Sequence, residues 1–197
     1  MRWGSVLVAL AVVLLVEPAE AKDYEAHQTW SFPRRADELV GILAAYDQHC
    51  DHGCRYHAPN VERAVILEHQ RTPDSFYVWI SVKDIQDAQW FTHVTVKRRE
   101  HGARVEFRMV TPEVAAVLER ASGRKSAPKT DSCGQIAELE EKWDGERFIE
   151  TRVSYSSSFR LTGLFATLFG GGLVRSRLAE VLRTTYLDLR SGPAVAK

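Results

Sequence analysis

The sequence lacks a net charge, and it lacks the basic clusters that nucleic-acid-binding chains carry. Lysine and arginine together number 26, and aspartate and glutamate together also number 26. The one run of basic residues, at positions 97–99, is followed at once by Glu100. A chain balanced in this way offers no electrostatic footprint for nucleic acid or for anionic lipid. We therefore predict that nucleic acid is not a partner.

The sequence also lacks an apolar run long enough to cross a membrane. Its longest run, "VLVALAVVLLV" at residues 6–16, is well short of the roughly 20 residues that a spanning helix needs. Arg2 precedes this run, and a small-x-small pattern at residues 19–21 follows it, which together indicate a secretory signal peptide. We expect a signal peptide over residues 1–21, one domain over residues 22–192, a tail over residues 193–197, and a periplasmic or secreted protein. The alternative is an uncleaved N-terminal anchor.

Cysteines are few: the chain has three, and an odd number leaves one without an intramolecular partner. Two of them lie in the segment "HCDHGCRYH", residues 49–57. In an oxidising compartment a close pair favours a disulfide. We expect a Cys50–Cys54 bridge, because Gly53 gives the intervening backbone the freedom to close so short a loop. The alternatives are a bridge to Cys133 and a metal site.

Complete motifs for haem, redox and zinc chemistry are missing from the same segment. A c-type haem site has histidine directly after its second cysteine, where this chain has Arg55. A thioredoxin-like pair is separated by two residues, and this pair by three. Structural zinc sites combine two separated pairs of ligands, whereas every candidate ligand here lies in one short stretch. We expect no metal and no cofactor, and we expect His49, His52 and His57 to be surface residues.

What the sequence does contain is a regular order of apolar periodicities. The order predicts a strand, a helix, consecutive strands joined by short turns, and a long final helix. A sheet of this kind buries only one face by itself, and the last helix is long and apolar enough to cover it. The predicted fold is α+β, with a curved antiparallel β-sheet wrapped around a long C-terminal α-helix. The predicted strands are residues 24–32, 61–70, 75–84, 89–99, 103–110, 134–143 and 147–157, and the predicted helices are 35–48, 112–121, 161–169 and 174–191.

Three local patterns accompany this order of elements. "NVERAVILEH" (residues 60–69) opens the run of strands, "TRVSYSSSF" (residues 151–159) forms the last one, and the final helix follows "LFGGG". In these respects the chain resembles the START-like, helix-grip (SRPBCC) superfamily, which includes lipid-transfer domains and bacterial polyketide cyclases. The resemblance covers nearly the whole chain after the signal peptide. It implies a hydrophobic ligand held between the sheet and the last helix.

The resemblance, together with the expected signal peptide, leads us to expect an exported binding or carrier protein for a hydrophobic small molecule or lipid. A second hypothesis is an enzyme of cyclase or hydrolase type, in which Glu141 has a raised pKa and works with His93 as acid or base. A third is a non-catalytic interaction protein of the envelope. A role without catalysis is favoured, because the chain has no nucleophile elbow, triad spacing or phosphate loop. Our candidate ligand-binding residues, which alternatively only fill the core, are Tyr77, Trp79, His93, Phe107, Glu141, Trp143, Tyr155 and Phe165.

Apolar residues also recur at helical spacing from Leu161 to Phe169, directly before a run of three glycines. We expect this segment to be a lid over the cavity mouth, hinged at residues 170–172, that makes transient contact with a membrane. The alternative is that the stripe packs permanently on the sheet as ordinary core.

Overall fold

The architecture is that of a computed structural model, which describes residues 21–83, 87–161 and 171–192. Seven strands form one antiparallel sheet in the order β1-β9-β8-β7-β6-β5-β4. Two shorter strands, β2 and β3, pair in parallel beside it. The strands are β1 (Lys22–Phe32), β2 (His49–Cys50), β3 (Tyr56–His57), β4 (Val61–Ile66), β5 (Ser75–Val82), β6 (Ala88–Arg99), β7 (Gly102–Met109), β8 (Ser132–Asp144) and β9 (Arg147–Leu161).

Three α-helices accompany the sheet in the described part of the chain. Helix α1 spans Ala36–Ala44, α2 spans Pro112–Ser122 and α3 spans Gly171–Ser191. Helix α3 packs along β1, where Tyr186 contacts the rings of Trp30 and Phe32 with centroid distances of 5.8 Å. None of the helices in the described ranges is long and apolar enough to cross a membrane. The predicted α+β architecture, with its curved sheet and C-terminal helix, is confirmed.

The chain buries apolar side chains on both faces of the sheet. The concave face carries the main core, which includes Val105, Tyr155 and Leu182 and which α1 and α3 cover. The convex face carries a smaller cluster, in which Phe91 of β6 is buried together with Leu118 of α2. The central strands are therefore apolar on both sides. Where both sides are apolar, the alternation of apolar and polar residues cannot show which side faces the main core.

Several predicted boundaries shift for local reasons. The predicted helix over residues 35–48 divides into α1 and a 3-10 turn at Tyr46–Gln48, because the backbone of Ala45 leaves the helical region. The predicted strand over residues 61–70 ends at Ile66 and is followed by a 3-10 turn at Glu68–Gln70. The pair of short strands β2 and β3 was not predicted. A two-residue turn at positions 145–146 joins β8 to β9, and Gly145 has the positive φ of 60° that glycine tolerates best.

Candidate functional site

A mostly apolar cavity of about 290 Å³ lies between the concave face of the sheet and the N-terminal half of α3. Its walls come mainly from β4, β5, β6, β9 and α3, and its polar lining residues include Lys129 and Glu180. Apolar enclosure with few polar groups is the usual composition of a small-molecule site. We call this space the wide cavity; its apolar residues include Val61, Ile80, Val82, Trp90, Phe159 and Val181.

A second space of about 100 Å³ adjoins the wide cavity and extends toward the C-terminal half of α3. The two spaces are neighbours, since both linings include Tyr46, Pro59, Val61, Gln135 and Val181. We call this second space the inner cavity. Its lining is more polar, and its polar side chains include Tyr46, His49, Gln135, Thr185 and Asp188.

Tyr46 stands at the junction of the two spaces. The 3-10 turn after α1 places its ring 5.3 Å from that of Phe107 and 5.7 Å from that of His49. Burial raises the pKa of the Tyr46 phenol, and a weaker contribution from Cys133 acts in the same direction. The hydroxyl therefore stays protonated at any physiological pH and acts as a neutral hydrogen-bonding group.

His49 lines the inner cavity with its ring in a defined tautomer. Its Nδ1 lies 2.9 Å from the carbonyl oxygen of Ala45, and because a carbonyl can only accept, Nδ1 carries the proton. Burial lowers the pKa of His49, although the Ala45 carbonyl and Asp47 oppose the shift. The neutral ring then offers Nε2 as an acceptor. The expectation that His49 is a surface residue was wrong, because its half-buried ring lines the inner cavity. His52 and His57 are exposed, as expected, although His57 also borders this space.

Asp188 is the acidic group of the inner cavity. The backbone N–H of His57 donates to its Oδ1 at 3.4 Å. Burial raises the pKa of Asp188 from its ordinary value of 3.8 to about 6, although that hydrogen bond and the charge of His57 lower it. Among the described residues no lysine or arginine joins Asp188 in lining this space. The carboxyl is thus desolvated and weakly compensated.

Two of the predicted residues line the inner cavity, Phe107 and Tyr155. Phe107 alternates with the charged residues of β7, and Tyr155 pairs with Ala137 across β9 and β8, so both side chains lie on the concave face. The exposed fraction of Tyr155 is only 2%, and its burial raises the pKa of the phenol. These residues are placed where the alternation along their strands predicts.

Tyr77, Trp79 and His93 do not line the cavity, so this part of the prediction is corrected. Tyr77 and His93 are opposite each other on β5 and β6, and their rings stack at 4.6 Å on the convex face. The indole N–H of Trp79 donates to the carbonyl of Lys125 at 2.9 Å. This face carries a second buried cluster, which α2 covers. Both faces of β5 are therefore apolar, and the sequence pattern did not show which of them borders the cavity.

Glu141 and Trp143 face inward but lie beyond the cavity, near the start of α1, so their assignment to the ligand site is corrected too. Glu141 Oε1 accepts hydrogen bonds from the Ala36 N–H at 2.9 Å and from Arg35 Nε at 2.8 Å. Trp143 Nε1 donates to Glu141 Oε2 at 3.2 Å. The Glu141 carboxylate thus caps the N-terminus of α1 and fixes the position of the Trp143 ring.

The acid–base pair that the enzyme hypothesis needed is contradicted. Burial by itself raises the pKa of Glu141, but hydrogen bonds from Ala36, Arg35 and Trp143, with the Arg35 charge, outweigh it and hold the pKa below its usual range. A carboxylate in this state is a poor proton donor at neutral pH. His93 lies on the opposite face of the sheet and cannot act with it.

The Cys50–Cys54 disulfide is confirmed, with a Cα–Cα distance of 5.5 Å. Cys133 is free, so the alternative bridge is excluded, and both sulfurs of the pair are unavailable as zinc ligands. The staple joins the ends of the loop between β2 and β3, the strands that carry His49 and His57. Among the described residues no group of three or more histidine, cysteine or acidic side chains is placed to hold a metal ion.

Other predictions fall outside the described residues. Phe165 and nearly all of the expected lid from Leu161 to Phe169 belong to this part of the chain, as do residues 1–20 of the expected signal peptide. Gly171 and Gly172, which we expected in the hinge, are the first two residues of α3.

Sequence reasoning missed the polar lining that α3 contributes. Thr184, Thr185 and Asp188 recur at i, i+1 and i+4, and they follow Val181 by three, four and seven residues, so they share its side of the helix. Polar residues at helical spacing within an apolar stripe were the available signal. Trp90, Cys133 and Gln135 were also missed. Cys133 and Gln135 lie in the first four residues of β8, where apolar and polar residues do not yet alternate regularly.

Comparisons with solved structures identify the same architecture. The ZhuI aromatase/cyclase of Streptomyces sp. R1128 superposes with a TM-score of 0.51 at 15% sequence identity, over 85% of this chain and 90% of that one. The di-domain aromatase/cyclase StfQ of the steffimycin biosynthetic pathway gives a TM-score of 0.50 at 12% identity, over 85% of this chain and 48% of that one. The chain has the helix-grip fold. No protein-family model and no curated protein sequence matches it.

The helix-grip assignment agrees with the position of the cavity. The wide cavity, which is mostly apolar, lies where the sheet curves around α3. At 12–15% identity the two solved structures establish the fold alone, so the ligand must be inferred from this chain's own lining residues.

Proposed function

We propose that this chain is an exported carrier that binds a hydrophobic small molecule or lipid between the sheet and α3. The single observation that carries the proposal is the wide cavity, a mostly apolar space of about 290 Å³ beneath α3. Burying a ligand's apolar surface there gains roughly 25 cal/mol per Å². The volume is near the lower limit for drug-sized ligands, and with the adjoining inner cavity it suits one alkyl chain or a small ring system.

Export is the part of the proposal that rests on the first residues and on the disulfide. A close cysteine pair that is oxidised is typical of proteins from oxidising compartments. N-terminal sequencing of the protein isolated from the periplasmic fraction of its native host is the test. A mature terminus at Lys22 supports export, and a full-length chain confined to the cytosol contradicts it.

The ligand itself is the decisive test. The protein is purified from its native host without detergent, extracted with organic solvent, and the extract is analysed by mass spectrometry against a Trp90→Ala control, which removes a wall of the wide cavity. We expect a stoichiometric apolar compound in the unmodified protein and much less in the variant. Empty protein that also fails to bind a neutral dye such as Nile red contradicts the carrier proposal.

Cys133 offers a site-specific reporter for occupancy. It lines a small space of about 50 Å³ together with Trp90, Gln135 and Phe159, which also line the wide cavity. It is the free cysteine of the chain, and burial raises the pKa of its thiol to about 12. Alkylation should be slow, and a ligand in the cavity should slow it further.

A second candidate is an enzyme that acts on a hydrophobic substrate, which the desolvated Asp188 carboxyl favours. Both solved structures above are aromatase/cyclases. A carboxyl with a pKa near 6 is suited to accept a proton at neutral pH. The test is whether the compound recovered from the Asp188→Asn variant differs in structure from the compound recovered from the unmodified protein; identical compounds favour the carrier.

A further inference from the structure

The two ends of the cavity differ in charge. The cations among the described lining residues, Lys129 and Arg177, belong to the wide cavity, where Arg177 forms an ion pair with Glu180 at 3.0 Å. The inner cavity has no lysine or arginine in its described lining, and Asp188 is its acidic group. A ligand that fills both spaces therefore meets a different electrostatic environment at each end.

Two of the polar side chains of the inner cavity, Asp188 and His49, are hydrogen-bond acceptors. Asp188 is bonded only by the long 3.4 Å contact from the His57 N–H, and it takes part in no ion pair with a described residue. His49 commits Nδ1–H to the Ala45 carbonyl, which leaves Nε2 as an acceptor. Thr184 is not a free donor, since its hydroxyl lies 3.0 Å from two carbonyl oxygens of its own helix, those of Glu180 and Val181.

The backbone of α3 adds to this polarity. Asp188 lies in the last turn of the helix, which ends at Ser191. The C-terminal end of a helix carries a partial negative charge, which disfavours a bound anion and favours a donor or a cation. Arg34 donates to the carbonyl of Leu189 at 3.2 Å and so satisfies one backbone acceptor there, but it is not among the residues that line the inner cavity.

From this arrangement we infer that the inner cavity recognises a hydrogen-bond-donating head group, a hydroxyl or an ammonium, on an otherwise apolar ligand, with Asp188 as the principal acceptor. The inference rests on the proposed ligand-binding function and narrows it to alcohols and amines. A free carboxylate or phosphate in the same position would face the Asp188 carboxylate at close range with no lysine or arginine in the described lining to offset it. Fatty acids are therefore excluded as the preferred ligand in this orientation.

The test uses the delipidated mature protein with Nile red bound, and alkyl compounds of one chain length that differ only in the head group. The alcohol, the amine, the carboxylate and the plain alkane each compete for the dye at pH 8, where both Asp188 and the fatty acid are ionised. We expect the alcohol and the amine to displace the dye at concentrations at least about tenfold below that of the carboxylate. An amine that binds better than the alcohol identifies charge recognition, and equal binding identifies hydrogen bonding alone; both support the inference.

Two variants test whether Asp188 is the residue that causes the preference for the alcohol and the amine over the carboxylate. Asp188→Asn should reduce the advantage of the alcohol and the amine over the carboxylate to less than about threefold. Glu140→Gln removes an exposed carboxylate from β8 that lines neither cavity, and it should leave the advantage intact. A carboxylate that competes as well as the alcohol, or an Asp188→Asn variant with an unchanged preference, overturns this inference while the carrier proposal stands. A protein that binds neither the dye nor any of the four compounds overturns both.

Discussion

Glu141 on β8 and Arg35 before α1 form an ion pair of 2.8 Å that joins the far end of the sheet to the start of the first helix. The Glu141 side chain is only 4% exposed, and that of Arg35 is 49% exposed. Arg35 also lies over the ring of Trp143, 4.5 Å from its centroid. Glu141 therefore has a stabilising role: its carboxylate is the N-terminal acceptor that α1 otherwise lacks, because Arg35 provides no side-chain cap.

Glu141→Gln should lower the free energy of unfolding by about 2 kcal/mol at pH 7, since it removes a charge from a buried hydrogen-bonded pair. The folded pKa of Glu141 is depressed, so its contribution is present above the unfolded pKa and is lost as the pH falls through the folded one. The loss measured by urea titration should therefore shrink toward acid pH. Glu140→Gln, at an exposed position on the same strand, is the control and should change the value by less than about 0.5 kcal/mol. Equal effects of the two substitutions would contradict the capping role.

The elements of the fold were predictable from the sequence, whereas the facing of their side chains was predictable only in part. On β7, Val105 and Phe107 alternate with charged residues, so one face is unambiguous. On β5, Tyr77 and Trp79 alternate with residues that are just as apolar, because α2 covers the convex face. The sequence pattern of β5 shows that both of its faces are buried, but it does not show which face borders the cavity.

The polar end of the cavity depends on contacts between distant parts of the chain. Asp188 and His57 are 131 residues apart, and nothing in the sequence near either residue indicates that they meet. The disulfide was predictable from compartment and spacing. Its position beside the cavity depends on how β2 and β3 pack against α3, which is a property of the tertiary structure.

Two tryptophans on opposite faces of the sheet distinguish the cavity from the convex cluster. Trp90→Ala should weaken Nile red binding by about tenfold or more, because the indole is part of the wide cavity wall. Trp79→Ala removes a side chain of the same size from the convex face and should change the affinity by less than about twofold, even though it costs stability. Dye titration of both variants at a temperature where both are folded is the measurement. A larger loss of affinity in Trp79→Ala than in Trp90→Ala would place the binding site on the convex face and contradict the proposed cavity.

The disulfide should support both stability and the shape of the inner cavity. Replacing Cys50 and Cys54 together with serine should lower the free energy of unfolding by about 2 kcal/mol in the chain-entropy model, because the closed loop is short. It should also weaken binding of the alkyl alcohol, since the stapled loop connects the strands that bear His49 and His57. Denaturant titration and dye competition measure the two effects.

Reductant provides the control for this prediction. Dithiothreitol should shift the unmodified protein and the Cys133→Ser variant toward the behaviour of the double variant, and it should leave the double variant itself unchanged. A double variant that loses stability but keeps its full affinity for the alcohol would show that the staple does not organise the inner cavity.

Asp188→Asn should stabilise the protein in a pH-dependent way. Burial raises the pKa of Asp188 from 3.8 to about 6 in the folded state, so the folded chain holds this proton more tightly than the unfolded one. The contribution of the protonated carboxyl to stability is complete below the unfolded pKa and is lost as the pH rises through about 6. An uncharged asparagine avoids that loss. The titratable groups around this carboxyl are His57 on β3, His49 on β2, Tyr155 on β9 and Tyr46 in the 3-10 turn.

The expected gain for Asp188→Asn at pH 8 is about 1 to 2 kcal/mol after allowance for the partial exposure of the carboxyl. At pH 4 the gain should fall close to zero, because the carboxyl is protonated in the folded protein there. Thermal unfolding of both proteins across this range, without ligand, is the measurement, and Asp131→Asn, at an exposed position, is the control. A variant that is less stable at pH 8 than the unmodified protein would show that Asp188 is a well-compensated structural anion, and the same result would remove the basis for its role as an acceptor of ligand hydrogen bonds.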